Sequence, residues 1–318
     1  MKRLLAFTAA MTLAAAAAAQ SFPSRPITIV VGFEPGGGTD TTARIVAKAL
    51  GDQLGQQVIV ENRAGAGGTI GVAHVAKETP DGYTIVLANV GALTANPFIM
   101  HLTYDPLKDL TPISMACIFA NVFVVQPSLG VKTLADYVKL AKAKPKTVTY
   151  ASSGVGGAGH LAGELLAIVA KVQLVHVPYK GGGPAMRGFL SKEVDSFVAT
   201  PVSSLKQIEA GKAVAIATTG SKRAELMPDV PTVAEQGYAG YEALNWYGFL
   251  GPASLPKPIV ERLHGEIAKA LANPEVIAAM KKTGVEPQSS RPEEFAAYIK
   301  KEYDTWGKVI KQAGIKAQ

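Results

Sequence analysis

The chain has 318 residues, a formal net charge of +7 and a single cysteine, Cys117. That length supports two ordinary domains with their own cores, and one cysteine excludes a disulfide framework, so stability rests on burial. Lys and Arg are scattered among acids, without a basic block interleaved with aromatics or a nucleic-acid motif; nucleic acid is excluded as a partner, and the charge reads as a solvated surface with slight attraction for small anions.

The opening MKRLLAFTAAMTLAAAAAAQSF has a basic start (Lys2, Arg3), an apolar centre and Ala17-x-Ala19. This pattern predicts a secretory signal peptide over residues 1–19, cleaved to leave Gln20, and hence an exported protein. No cysteine stands at that junction to carry a lipid.

Beyond it, short apolar runs alternate with helical stretches. ITIVVGF leads to a helix from about Asp40, then QVIVEN, a helix around TIGVAHVAKE and the strand YTIVLAN. The pattern resumes with TVTYASSG, a helix around HLAGELLAIVA, LVHVPY, a helix around PAMRGFL, EVDSFVAT and a helix around SSLKQIEAG. Strands separated by helices do not pair as hairpins, which predicts an α/β protein with mainly parallel sheets flanked by helices. Two runs, MACIFANVFVVQP and NWYGFLGPASLP, interrupt the alternation and read as crossings between two sheets. Only helices are predicted after the second crossing, with Asn273 as an N-cap before Pro274 and Arg291-Pro292-Glu293-Glu294 opening the last; they are expected to return to the first domain.

Four loops beyond strand ends carry unusual chemistry: FEPGGGTD, ANVGALTAN, ASSGVGGAGH and PYKGGGPA. In open parallel sheets ligands sit at such loops, where glycine permits close approach and a helix start offers unpartnered amides to an anion. Thr39, Ser152 and Ser153 add hydroxyl donors. Hydrogen bonds to a charged group contribute roughly 1.5–3 kcal/mol each, so a few from each half hold a carboxylate without a salt bridge.

Nucleotide readings fail on spacing. Gly36 and Gly38 fit a dinucleotide fingerprint but its third position is Thr41, and no loop has the lysine of a P-loop. The chain lacks a G-x-S-x-G elbow and an H-E-x-x-H pair, and its five histidines show no i, i+4 pairing, so no catalytic residue, metal ligand or cofactor is assigned. His160 follows the serine-glycine loop and is a candidate ligand contact; Asp40 reads as a helix cap beside the first loop; Lys180 reads equally as a carboxylate partner or a solvated side chain.

The runs FPSRPITIVVGFEPGGGTDTTAR, VENRAGAGGTIGVAHVAKETPDGYTIVLAN, TVTYASSGVGGAGHLAGELL and VHVPYKGGGPAM, with WYGFLGPASLPKPIV later, resemble the Bug family of periplasmic solute-binding proteins, receptors of tripartite tricarboxylate transporters. The likeness covers essentially the whole mature chain. It implies a two-domain Venus-flytrap binding protein of type II with two crossovers: domain 1 over 20–119 plus 246–318, domain 2 over 120–245. It also implies a monomer in the periplasm that binds a small organic acid and serves a membrane permease. On the family's pattern the first loop is Phe33 to Asp40, with Gly37, Gly38 and Thr39 facing the carboxylate, and Ser152, Ser153 and Gly154 oppose it. Tyr179 and Thr200 join from the second domain, Asn89 and Ala92 line the floor, and Trp246 forms a wall or packs the hinge. Glu34 departs from the family, which usually has a neutral residue there; a carboxylate beside an anion site is expected to point away. Two rival readings keep the same export: a serine hydrolase using Ser152 or Ser153 with His160, and a sensing receptor for a signalling partner.

Overall fold

The computed structural model describes residues 22–315; the expected signal peptide lies outside them. Strand β1 (Ile27–Val31) is almost wholly buried, as a strand covered on both faces must be, and its β-branched residues suit it. Helix α1 (Gly38–Leu54) follows, turning Ala43, Val46, Ala47 and Leu50 onto the sheet and ending at Gly55, whose φ of 61° supplies the left-handed residue that stops a helix. Then come β2 (Val58–Asn62), α2 (Thr69–Val75) and β3 (Thr84–Asn89). A π-helical turn over Gly91–Ala95 leads to the short α3 (Asn96–Ile99).

The first crossing run is two strands, β4 (Leu110–Ala120) and β5 (Val122–Val125), hinged at Asn121. The second sheet is completed by α4 (Leu134–Ala143), β6 (Thr149–Ser152), α5 (Ala158–Ala170), β7 (Val175–Pro178), α6 (Gly182–Leu190), β8 (Ser196–Ala199), α7 (Pro201–Glu209) and β9 (Val214–Thr218). Strand β10 (Leu244–Pro252) re-enters the first sheet, and α8 (Lys257–Leu271), α9 (Pro274–Lys281) and α10 (Pro292–Ala313) follow, the last two separated by β11 (Glu286–Pro287). This two-residue strand was not foreseen; it is too short to leave a pattern, and it covers β4 at Cys117 and Ile118.

The strand orders are β11-β4-β10-β3-β1-β2 and β7-β6-β8-β5-β9. Both sheets are mixed. The pairs β1–β2, β1–β3, β6–β7 and β6–β8 are parallel, whereas each pair involving β4, β5 or β10 is antiparallel. The expectation of mainly parallel sheets therefore holds for β1 to β3 and for β6 to β8; strands that arrive by crossing between sheets are free of the right-handed crossover rule, and β9 pairs with one of them.

The terminal helices do return to the first sheet. Leu263, Ile267 and Met280 share a core with Ile27 and Ile29, and Phe295 packs edge-on to Trp246. Asn273 caps α9 by accepting the Glu275 amide at 2.8 Å. At the hinge the connecting segments are stitched by backbone groups: Thr219 N donates to Asn121 O at 2.9 Å and Ala243 N to Thr219 O at 2.9 Å.

Candidate functional site

Four helices start at the space between the two sheets. Gly38 opens α1 from the first lobe; Ala158, Gly182 and Pro201 open α5, α6 and α7 from the second, and Gly38, Ala158 and Gly182 line the cleft with Thr200, the residue preceding α7. None of these four starts carries a side-chain cap. The first amides of α1, α5 and α6 have no intrahelical acceptors, Pro201 offers no N–H at the head of α7, and the positive ends of four dipoles converge there. Phe33, Gly37, Thr39 and Asn89 complete the wall from the first lobe, Ser153 from the second, and Asn245 and Tyr247 lie on the return strand. No lining residue carries a formal charge at neutral pH. Burial pushes the Tyr247 phenol well above its ordinary pKa, so it remains a hydroxyl donor. The cavity measures about 20 Å³, room for roughly one water molecule, so any larger solute enters only when the lobes part.

The first glycine loop is held from behind. Asp40 is 4 % exposed; its carboxylate accepts from Gly36 N at 3.0 Å, Asn62 Nδ2 at 2.9 Å and Arg44 Nε at 3.0 Å. Burial alone would raise its pKa, but the hydrogen bonds from Arg44, Gly36 and Asn62 outweigh that and keep it below the usual value. Asn62 Nδ2 also donates to Phe33 O. Asp40 therefore shapes the loop and turns its charge away from the cleft.

The second loop hangs from two stacked imidazoles. His160 and His176 lie face to face with centroids 4.0 Å apart. His160 Nδ1 accepts from Gly156 N at 3.0 Å, so its proton sits on Nε2, 3.9 Å from a Glu164 oxygen. His176 Nε2 is 2.7 Å from Ser152 Oγ, and its Nδ1 is buried without a partner. A lone pair without a donor is the cheaper orphan, which assigns the proton to Nε2, donating to Ser152. Ser152 Oγ also accepts from Gly154 N at 3.1 Å and donates to Gly154 O at 3.0 Å. Its hydrogen and both lone pairs are then in use.

Of the residues singled out in the sequence, Phe33, Gly37, Gly38, Thr39, Asn89, Ser153 and Thr200 line the cleft; the others face elsewhere. Asp40, Ser152 and His160 are buried supports of the loops. Gly154 belongs to the turn that Ser152 holds, and Ala92 is fully buried, its carbonyl accepting from Tyr104 Oη at 2.7 Å. Tyr179 points its hydroxyl to Glu193 at 2.9 Å. Trp246 is fully buried against Phe295 and Tyr298, and hinge packing is its role here rather than a wall. Ala158, Gly182, Asn245 and Tyr247 were not singled out. Asn245 and Tyr247 flank Trp246, and the alternation of side chains along a strand sends neighbours to opposite faces; the register that sets Tyr247 opposite Asn89 was needed to choose between them.

Glu34 lies outside the lining, its carboxylate 4.0 Å from Arg187 Nη2 of the other lobe. Lys180 is exposed and contributes its carbonyl, which accepts from Glu34 N at 3.0 Å. A separate groove on the hinge side, between Ile118–Ala120 and Gly220–Met227, lacks converging helix starts and is spanned by Lys281 and Glu225 at 3.4 Å. Among the described residues no acidic, histidine or cysteine cluster is placed to hold a metal ion, and no helix is long and apolar enough to cross a membrane.

The profile of the tripartite tricarboxylate transporter family receptor matches residues 42–315. BugT of Bordetella pertussis is 36% identical over 322 residues, spanning 99% of this chain and 99% of that protein. A solved R. palustris protein with adipate superposes with a TM-score of 0.90 at 33% identity, over 93% of this chain and 100% of that one. MatC from Rhodopseudomonas palustris, solved with bound malate, gives 0.86 at 30% identity, over 91% and 100%.

Proposed function

The chain belongs to the tripartite tricarboxylate transporter receptor family, and on that premise we propose that it is a periplasmic receptor that closes on a small carboxylate and delivers it to a membrane permease. The observation that carries the reading is the convergence of four uncapped helix starts on a cleft without charged side chains. Such a cleft favours an anion through amides and hydroxyls, which cost no desolvated counter-charge. With donors on both lobes, an acid held between them gains contacts in the closed form that the open form lacks, the condition for a solute to shift the equilibrium. A dicarboxylate or an aromatic carboxylate is the proposed class; adipate and malate in the related proteins belong to the first. Residues 20–119 with 246–318, and 120–245, are the proposed lobes.

The hydrolase reading is not favoured. Ser152 is fully buried with every hydrogen-bonding site used, its neighbour His176 holds the proton a general base would need to accept, and His160 is engaged with Gly156.

The test is a thermal-shift panel of organic acids, adipate and malate included, each paired with its amide. Stabilisation that grows with acid concentration, and is absent with the amide, supports the reading. A panel in which no acid shifts the melting temperature, or in which amides match their acids, rejects it.

A further inference from the structure

The two lobes meet through bare backbone on either side of the cleft. On one rim, Glu34 N donates to Lys180 O across the gap, and Pro35 O faces Gly183. On the other, the turns at Gly67 and Gly91 of the first lobe face Val155, Gly156 and Gly157 of the second.

At most of these glycines more than one demand is superposed. Gly67, Gly154 and Gly156 have φ of 65°, 143° and 70°, which L side chains rarely adopt, and Gly37 and Gly182 line the cleft itself. Gly91 and Gly183 are different. Neither has positive φ, neither lines the cleft, and each sits in a helical turn where alanine is the better former. A Cβ on Gly91 would stand 2.8 Å from Gly157 Cα and closer still to the Gly156 carbonyl. Its three nearest neighbours are all backbone atoms of the opposite lobe. A Cβ on Gly183 would meet Pro35 O at 3.0 Å, again across the cleft and again backbone. Backbone has no flexible end to swing aside, so the added carbon must be accommodated by the lobes themselves.

We infer that Gly91 and Gly183 are closure residues: they serve neither a turn nor the solute, and their missing side chains let the backbone of one lobe seat on that of the other. The inference rests on the receptor reading, in which closure is the step that traps the acid. It assigns capture to positions outside the binding cleft, through the fraction of molecules able to close, since apparent affinity scales with that fraction.

The experiment reads closure directly. Cysteines replace exposed Lys77 and Lys139, one on each lobe, and carry spin labels; the native Cys117 is buried and stays unlabelled. Interlobe separation is measured by electron–electron resonance with and without the acid panel, in the wild-type background and in Gly91→Ala, Gly183→Ala and Gly265→Ala. Gly265 has nothing within 4 Å and is the control. The expected result is a short separation in the wild type and the control, enriched by acid, lost in Gly91→Ala and reduced in Gly183→Ala, with melting temperatures no lower than wild type. Apparent acid affinity then falls about tenfold or more in Gly91→Ala. Should Gly91→Ala fail to fold, Gly183→Ala carries the test. Two results overturn the inference: a short separation that persists in both variants as in wild type, or a wild type that never shows one. A short separation present in wild type, lost in the variants, but indifferent to every acid sustains the closure role and rejects the solute.

Discussion

Ser152 Oγ and His176 Nε2 lie 2.7 Å apart inside the second lobe, in a buried serine–histidine pair. The pair holds a turn in place. Replacing Ser152 with alanine leaves His176 Nε2 and Gly154 N buried without partners, each costing about 1–3 kcal/mol. Urea unfolding of Ser152→Ala is expected to show a loss of about 2 kcal/mol or more, with acid affinity weakened because Gly154 is no longer fixed. Unchanged stability would show that the hydroxyl does not bear the turn.

The second loop is expected to be acid-labile. Burial lowers His160 to about 4, and burial together with the neighbouring His160 lowers His176 to about 2. Both folded values lie below the ordinary 6.5, so the unfolded chain takes up protons first. Stability is full above the ordinary value and is lost as pH falls through the folded one, by roughly 3 kcal/mol for His160 alone. Tyr150, Glu164 and His176 are the titratable groups packed around it. Urea midpoints should drop between about pH 6.5 and about pH 4. His160→Asn, which keeps an acceptor for Gly156 N but does not titrate, should reduce that drop by about half, because His176 still titrates. An equally steep drop in His160→Asn would assign it to other groups.

Adjacent residues of the return strand should separate binding from stability. Tyr247→Phe removes a hydroxyl from the cleft floor and is expected to weaken acid binding by about tenfold to a hundredfold, the worth of one hydrogen bond to a charged group, while the fold is kept. Trp246→Phe, on the opposite face, is expected to cost about 1–2 kcal/mol of stability and leave affinity unaltered. Calorimetric titration beside chemical unfolding distinguishes the two; the reverse assignment would mean that the strand is read one residue out of register.

Gly38 tests the cleft itself. An added Cβ there would lie 2.6 Å from Tyr247 Oη and 3.3 Å from Thr200 Oγ1, filling what little space the site has. Alanine suits the first residue of α1, but Tyr247 belongs to the same lobe and must shift to make room, so a modest fall in melting temperature is expected for Gly38→Ala. The variant should bind no acid of the panel; binding at wild-type strength would place the solute elsewhere.

Much of this was legible in the sequence because it is local. β-branched runs bounded by glycine made β1, β3 and β6 recognisable, and Asn273-Pro274 marked a helix start that the structure places where it was expected. The glycine-rich loops were legible as candidate cleft loops because strand, glycine and helix start are consecutive in the chain. Four of the cleft's residues escaped notice for different reasons. Ala158 and Gly182 have no polar side chain to draw attention and bring only helix starts to the cleft. Asn245 and Tyr247 lie beside the more conspicuous Trp246, and nothing within NWYGF says which alternate set faces the cleft.

By itself, then, the chain's order of residues determined an α/β alternation with two interruptions, and it marked the loops proposed to hold an anion. The tertiary structure alone decided which serine presents its hydroxyl and which is consumed by His176, and that the crossing strands run antiparallel to their neighbours. It alone placed Gly91 against Gly156 and Gly157. The division has one physical reason. Backbone propensity and helix starts depend on neighbours within a few residues, whereas the face a strand shows, the partner a buried hydroxyl finds and the gap a missing Cβ fills depend on groups dozens of positions away, brought together only by the packing of two lobes.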